Sequence, residues 1–409
     1  MSSARAEWRQ GWPVVLGAAL GAGTGGGLFF YISSLFVSGL SAEFGWTRGE
    51  IGGVFAISGI GALASPLIGW LVDRFGFKPV ATACTFGLVA LYVGFATYRG
   101  PLQGILALSA FYGFFAVGTA SLVYTRPITA WFDKSRGMAL GVSTLGVSVF
   151  AIIAPPLLHT VMADHGWRAG YLALAALALG IGLPAMVLLV RGQPPARVGA
   201  EATTAPGPHQ TGMSVSDAMR TGPFWLMALA LAAINAAGTG LLSQLAPLLE
   251  DKGLSAAGAA QALSVYAAGL IIGRLGCGAL IDRFPAARVA CVFTLAPAMG
   301  CALLFTSTPS LAFPAAALIG MQQGAETDVL AWFVSRVFGL RCYSATFGAV
   351  LGVGYAGTIA GVLLIGRIHD WTGAYDMAVI AAGAAFVCGA VAFLLIGTPR
   401  LHDGAPTMG

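Results

Sequence analysis

One arginine stands inside an apolar, glycine-rich stretch, residues 269–284 (GLIIGRLGCGALIDRF). A guanidinium in hydrocarbon costs roughly 2.5–3.5 kcal/mol on insertion scales. It cannot escape by losing its proton at any ordinary pH. Arg274 therefore needs an anion, supplied by the protein or by a ligand. In one reading it snorkels to the nearer interface or sits in an internal ion pair. In the other its planar fork takes a carboxylate bidentately. Arg274 lies eight residues before Asp282, about 12 Å along a helix at 1.5 Å per residue. Tyr266, eight residues earlier, falls on nearly the same helical face and lines the same cavity if one exists.

Glu326 and Asp328 are the acids placed well inside an apolar span, at a depth similar to that of Arg274. Gln322, Gln323 and Glu326 share one helical face, and Asp328 is rotated by about 200° from Glu326. A regular helix cannot aim both acids into one cavity. Either one of them caps a neighbouring helix or pairs with Arg336, or one balances Arg274 without substrate and takes a proton during a cycle. Burial pushes carboxyls towards neutrality, so proton coupling is physically available.

Tyr31, Tyr124, Ser143, Asn235, Gln244, Gln322 and Tyr355 are smaller polar candidates inside apolar spans. Each reads as a helix–helix hydrogen bond or as a ligand to cargo. His159, His165 and His369 lie near helix ends and read as interfacial. No Ser/His/Asp or metal-ligand constellation is present, so no catalytic, cofactor or metal site is expected. Gly21 to Gly26 formally matches G-x-G-x-x-G, but it has no preceding strand and lies in a span, so a dinucleotide site is rejected.

These residues are positioned by membrane helices. The chain has 409 residues, 57% hydrophobic and 9% charged, against roughly 25% charged in soluble domains. A bilayer core needs about 20 apolar residues per helix. Twelve spans are predicted, near 12–37, 50–71, 79–98, 102–130, 138–160, 169–190, 222–249, 256–280, 288–306, 311–334, 343–366 and 375–397. A β-barrel would need alternating strands of about 10 residues, which the pattern lacks. The first apolar stretch is longer than a signal h-region and has no A-x-A site behind it. The net charge of +5 sits in short loops and reflects topology rather than nucleic-acid binding. With the N-terminus inside, inner segments hold fifteen Lys and Arg and outer segments five; both termini are predicted cytoplasmic. Trp46, Trp167 and Trp371 are expected at the outer interface, and Trp8, Trp12 and Trp131 at the inner one. Low charge and short inner loops fit a bacterial inner membrane.

Glycine recurs at four-residue spacing, as in Gly17, Gly21 and Gly25, Gly269 and Gly273, Gly348 and Gly352, and Gly357 and Gly361. Such faces let helix backbones approach closely in lipid, and a bundle that must slide would use them. The six cysteines lack metal-ligand spacing and read as small packing residues. Pro155 and Pro156 are expected to bend or break span 5.

The chain divides into residues 1–190, a Pro-, Gly- and Thr-rich linker over 191–220, and residues 221–409. The halves repeat. Residues 69–78 (GWLVDRFGFK) follow span 2 and 278–284 (GALIDRF) follow span 8, an offset of 209 residues. Residues 166–171 (GWRAGY) and 371–375 (WTGAY) are a second echo before spans 6 and 12. One six-helix unit used twice explains both.

The pattern G-x-x-x-D-R-x-G-x-K after span 2, with a degenerate copy after span 8, resembles the loop motif of the major facilitator superfamily. Within that superfamily the chain is similar to the monocarboxylate porter and oxalate–formate antiporter branch. The matching residues are 131–141 (WFDKSRGMALG), Pro155 with Pro156, 165–171 (HGWRAGY), 273–278 (GRLGCG), 324–328 (GAETD) and 366–375 (GRIHDWTGAY). The resemblance implies an all-α fold of twelve transmembrane helices in two pseudo-symmetric six-helix bundles. It implies that Arg274, in the place of the branch's span-8 arginine, binds substrate anion. Three departures stand beside it. Leu270 occupies the place of an acid in proton-coupled porters, span 1 has no lysine in FFYISSL (29–35), and span 11 lacks the oxalate exchanger's cation. One intramembrane cation suits a monoanion, since a dianion leaves a buried charge unpaired.

The expected activity is secondary transport of a small organic monocarboxylate, with a proton, by one copy of the chain in a bilayer. A carboxylate exchanger without proton coupling and an exporter of neutral or drug-like metabolites are the alternatives. Arg274, Tyr31, Tyr124, Tyr266, Asn235, Gln322 and Tyr355 are the substrate-binding candidates, and Glu326 and Asp328 the proton sites. Asp73, Arg74, Lys78, Arg126, Arg136, Asp282 and Arg283 are expected to gate the inner side, with the two aspartates holding neighbouring helix N-termini when it is shut.

Overall fold

The computed structural model describes residues 4–59, 61, 65–120, 123–124, 127–128, 131–132, 135–190, 213–281, 283–306, 308–339 and 343–396. Arg126, Asp282 and most of the linker (191–212) lie outside the described residues, as do the side chains of Asp73, Arg136 and Asp328.

The described residues are almost wholly helical, and they assemble as twelve spans in two pseudo-symmetric bundles. Lipid offers no partner to a free N–H or C=O, so each apolar segment closes its own hydrogen bonds. In the first half, span 1 comprises Ala4–Gly23, Gly26–Ile32, a 3-10 turn and Val37–Phe44; span 2 comprises Arg48–Ser58 and Ser65–Phe75. Spans 3 to 5 are Phe77–Thr97, Leu102–Val117 with the turn residues that follow, and Arg136–His165. Span 6 runs from Trp167 to Leu189 through a π turn at Ala178–Gly182. In the second half, span 7 comprises Gly222–Ser243 and Leu245–Asp251. Spans 8 to 12 are Ala256–Ile281, Ala286–Phe305, Ala312–Val337, Tyr343–Thr372 and Asp376–Ile396. Nine described helices are long and apolar enough by themselves to cross a membrane. Six crossings per half bring both termini to one face, called here the terminal face, and the opposite end is the far face.

Three differences from expectation have physical causes. Of the bend or break expected at Pro155 and Pro156, the break does not occur: span 5 is one helix through both, since breaking it would expose more backbone to lipid than the two missing donors do. Span 1 instead breaks at Thr24 and Gly25, where the Thr24 hydroxyl bonds back to the Leu20 carbonyl at 2.8 Å. Span 7 breaks at Gln244, whose side chain is fully buried and bonded to other spans.

The glycine ladders hold the second bundle together. A Cβ on Gly269 or Gly273 would strike the carbonyls of Ala317 and Met321, and one on Gly320 or Gly324 those of Tyr266 and Leu270. Spans 8 and 10 thus meet backbone to backbone along their length. Gly357 and Gly361 do the same against Ala232 and Ala236 of span 7. These contacts lie within one bundle and lock it, where the sequence suggests a sliding face. Gly348 and Gly352 face open space among the described residues, so their spacing marks no packed face there.

The halves meet along two seams, span 5 on span 8 and the far half of span 2 on span 11. At the far face a polar latch joins them. The Asp370 carboxylate accepts the Gly49 N–H at 2.8 Å, at the N-terminus of the helix that Thr47 caps. The Arg48 guanidinium reaches Asp251 at 3.7 Å, and its carbonyl accepts from Gln244 at 3.3 Å. The Ser38 hydroxyl donates to Glu250 at 2.9 Å. Gly49 has no room for a side chain, because a Cβ would enter the Asp370 carboxylate. His369, in the last turn of span 11, sits 3.4 Å from Asp251 behind this latch. Trp167 is not interfacial. It is 9% exposed, and its indole donates to Glu43 at 2.8 Å, whereas Trp371 is 74% exposed.

Candidate functional site

Arg274 lies where the two halves face each other. Its guanidinium donates to the Thr144 hydroxyl of span 5 at 3.4 Å. Among the described residues no carboxylate pairs with it. It lines a cavity of about 400 Å³ with Ala22, Gly27, Phe30 and Tyr31 of span 1, Ala120, Thr144, Val147 and Ser148 of the first half, and Leu270 of span 8. The close backbone approach at Gly273 fixes the turn that carries Arg274, since span 10 presses directly against it.

A second lobe of about 330 Å³ opens beside the first, between spans 1, 2, 4, 7 and 11. Gly27, Phe30 and Ala120 line both lobes. Its walls are mostly apolar and aromatic, with Phe29, Phe55, Tyr112 and Ile359 among them, and Tyr355 reaches in from span 11. The far-face latch lies beyond it, where Gly52 of span 2 packs on the Val362 carbonyl.

The other predicted residues divide by position. Tyr31 lies within electrostatic reach of both Arg274 and Glu326. Tyr266 is buried, and its hydroxyl has no hydrogen-bond partner among the described residues. A buried hydroxyl without a partner is costly and needs an explanation. Glu326 is surrounded by amides: Gln323 donates to it at 3.3 Å, and the Asn235 and Gln322 side chains are placed to do so. The predicted sharing of one face by Gln322, Gln323 and Glu326 therefore appears as contact. The predicted balancing of Arg274 by Glu326 does not. Tyr31 stands within the field of both groups, and no ion pair joins them.

Tyr124 does not line either lobe. It is 2% exposed, packs edge-on to Phe77 with ring centres 5.3 Å apart, and fills the space left by Gly21. Ser143 satisfies its hydroxyl on the Leu140 carbonyl at 2.7 Å. Gln244 bridges spans, accepting from Tyr375 at 3.0 Å as well as donating to Arg48. Among the predicted gating residues, Lys78 donates to the Val187 carbonyl at 2.8 Å and so caps the end of span 6. Arg74 stacks on Trp70 and Phe75, and Arg283 is exposed. Arg336 lies over the Trp332 ring, 5.8 Å from its centre, rather than on an acid of its own helix among the described residues. Sequence reasoning missed Thr144 and Ser148. Single hydroxyls eight and twelve residues into an apolar helix carry no signal until the facing helix is known.

The family model of the Major Facilitator Superfamily matches residues 18–338. This chain belongs to the Major Facilitator Superfamily. It is 27% identical over 402 residues to monocarboxylate transporter 13 of Bos taurus, covering 93% of this chain and 87% of that protein. It is 26% identical over 355 residues to monocarboxylate transporter 11 of Homo sapiens, covering 82% and 72%. The crystal structure of a D-xylose–proton symporter superposes with a TM-score of 0.74 at 14% identity, covering 96% of this chain and 99% of that one. The superfamily's two-bundle fold, with its cavity on the seam, is thus the fold of this chain. It is an integral membrane transporter of a small molecule.

Proposed function

We propose that this superfamily member carries a small organic monocarboxylate across the plasma membrane by alternating access, together with a proton. In a bacterial cell that membrane is the inner one, and both termini face the cytoplasm, as the excess of Lys and Arg on that side supports. The observation that carries the reading is Arg274. It is a permanent cation on the wall of a central cavity, held by one long hydrogen bond to Thr144 and matched by no carboxylate among the described residues. A monoanion supplies what it lacks. Similarity to two monocarboxylate transporters along most of the chain supports the same cargo class.

Glu326 is the proton site in this reading. Amide neighbours, unlike a cation, leave a carboxyl free to be neutral in one state and charged in another. Symport keeps anion entry electroneutral, avoiding an inside-negative potential worth about 2.3 kcal/mol per charge per 100 mV. Asp73, Arg74, Lys78, Arg126, Arg136, Asp282 and Arg283 hold the terminal-face helix ends while that side is shut. One copy of the chain forms the whole pathway.

Uptake of a labelled monocarboxylate into proteoliposomes, driven by an acid-outside pH gradient, tests this. Wild type should accumulate the acid, and Arg274→Gln should not. Glu326→Gln should lose accumulation but keep counterflow exchange. Counterflow by wild type with no effect of pH would make the chain an exchanger instead.

A further inference from the structure

The two lobes of the cavity differ in chemistry. The Arg274 lobe holds a cation and the hydroxyls of Thr144 and Ser148. Among the described residues no Lys, Arg, His, Asp or Glu lines the other lobe. Several of its polar groups are already bonded within the protein: the Tyr112 hydroxyl donates to the Gly26 carbonyl at 2.6 Å, Ser243 to Gly240 at 2.7 Å and Thr358 to Gly354 at 3.4 Å. At about 330 Å³ it falls within the size range of small-molecule sites, roughly 300–1,000 Å³. A two- or three-carbon acid held by Arg274 would leave it without an occupant. Water is poorly held where few free polar groups converge.

We infer that the cargo is amphipathic: a monocarboxylate whose bulky apolar body, aryl or branched alkyl, fills the lobe between spans 1, 2, 4, 7 and 11 while its carboxylate lies on Arg274. The inference rests on the carboxylate reading of Arg274. The two lobes adjoin at Gly27, Phe30 and Ala120, which wall both, and a molecule reaching from one to the other past these residues takes its shape from them. Phe30 stands at the junction with its ring edge-on to Tyr31, centres 5.2 Å apart, so the neck of the ligand passes a flat apolar surface. A second carboxylate in the far lobe would be buried with no cation there, which excludes dicarboxylates of that length. Filling the lobe also places apolar mass directly beneath the far-face latch. Binding can then be felt where Gly52 packs on Val362 and Gly49 on Asp370.

The test is titration calorimetry on the purified full chain with acetate, butanoate, benzoate and 3-phenylpropanoate. Wild type, Arg274→Gln, Ile359→Trp and Val117→Trp are compared. Affinity should rise about fourfold per methylene buried, so phenylpropanoate should bind at least a hundredfold more tightly than acetate. Val117 of span 4 and Ile359 of span 11 both line the apolar lobe, so tryptophan at either one fills it. Both variants should lose tenfold or more for phenylpropanoate and keep wild-type affinity for the short acids, which also shows that they are folded. Equal affinity along the series, or phenylpropanoate binding unchanged in both tryptophan variants, overturns the apolar body. If Arg274→Gln has in that case lost affinity for the whole series, the carboxylate anchor still stands. If Arg274→Gln binds the whole series as wild type does, the anchor is wrong and this proposal falls with it.

Discussion

Replacing Arg274 with glutamine separates a ligand-binding arginine from a structural one, because the two roles move opposite quantities. In the unliganded protein Arg274 makes one described hydrogen bond, to Thr144 at 3.4 Å, and no ion pair among the described residues. Glutamine removes at most that bond, worth about 0.5–1.5 kcal/mol, and also removes the cost of a partly buried unpaired charge. Unliganded stability should therefore stay within about 1 kcal/mol of wild type, in either direction. Binding should change far more. Truncating one partner of a buried hydrogen-bonded charge pair costs about 2–5 kcal/mol, roughly 30-fold to several thousandfold in Kd. At a carboxylate concentration of 100 times the wild-type Kd, the ligand stabilises wild type by about 2.7 kcal/mol. With Kd weakened about 100-fold, the same concentration stabilises the variant by about 0.4 kcal/mol. Differential scanning fluorimetry in one detergent, with and without ligand, reads both quantities. An unliganded melting temperature that collapses, with a ligand shift equal to that of wild type, would refute the reasoning and make Arg274 a structural residue. Arg274→Lys refines the result. It keeps the charge but loses the planar fork, and should bind about tenfold more weakly than wild type.

Other outcomes follow from the same geometry. If Glu326 takes up a proton as the anion binds, carboxylate affinity rises as pH falls, and Glu326→Gln flattens that dependence; the titration is read by calorimetry at each pH. Asp370→Ala removes a charge-assisted bond to Gly49 at the far face, worth about 1.5–3 kcal/mol. It should shift the closed–open balance about 10- to 100-fold, seen as faster maleimide labelling of Ser243→Cys, a position lining the apolar lobe. Gly273→Ala should destabilise by about 1–3 kcal/mol in thermal melts, because its new methyl meets the Met321 carbonyl. Gly348→Ala, with open space around it, should be neutral or stabilising by up to about 1 kcal/mol in the same assay.

The sequence by itself determined the membrane, the twelve spans, the repeat of one six-helix unit and the place of Arg274 inside an apolar helix. All four rest on local quantities. Transferring a 20-residue segment into lipid depends on its own side chains, and an arginine within such a segment is conspicuous wherever it packs. The contact of Gln323 with Glu326 was legible for the same reason, since i and i+3 meet on any helix. What lies opposite each helix was decided only by the tertiary structure. Gly269 and Gly348 begin equivalent four-residue patterns, yet one meets a carbonyl and the other open space. Tyr31 and Tyr124 are both tyrosines in apolar spans, yet one faces the Arg274 cavity and the other fills the space over Gly21. The Arg274–Thr144 bond spans 130 residues and the Gly49–Asp370 latch 321. Lipid solvates every apolar helix face about equally well, so hydrophobicity cannot say which face meets which. Packing, close backbone approach and a few cross-helix hydrogen bonds make that choice, and they exist only once the helices are side by side.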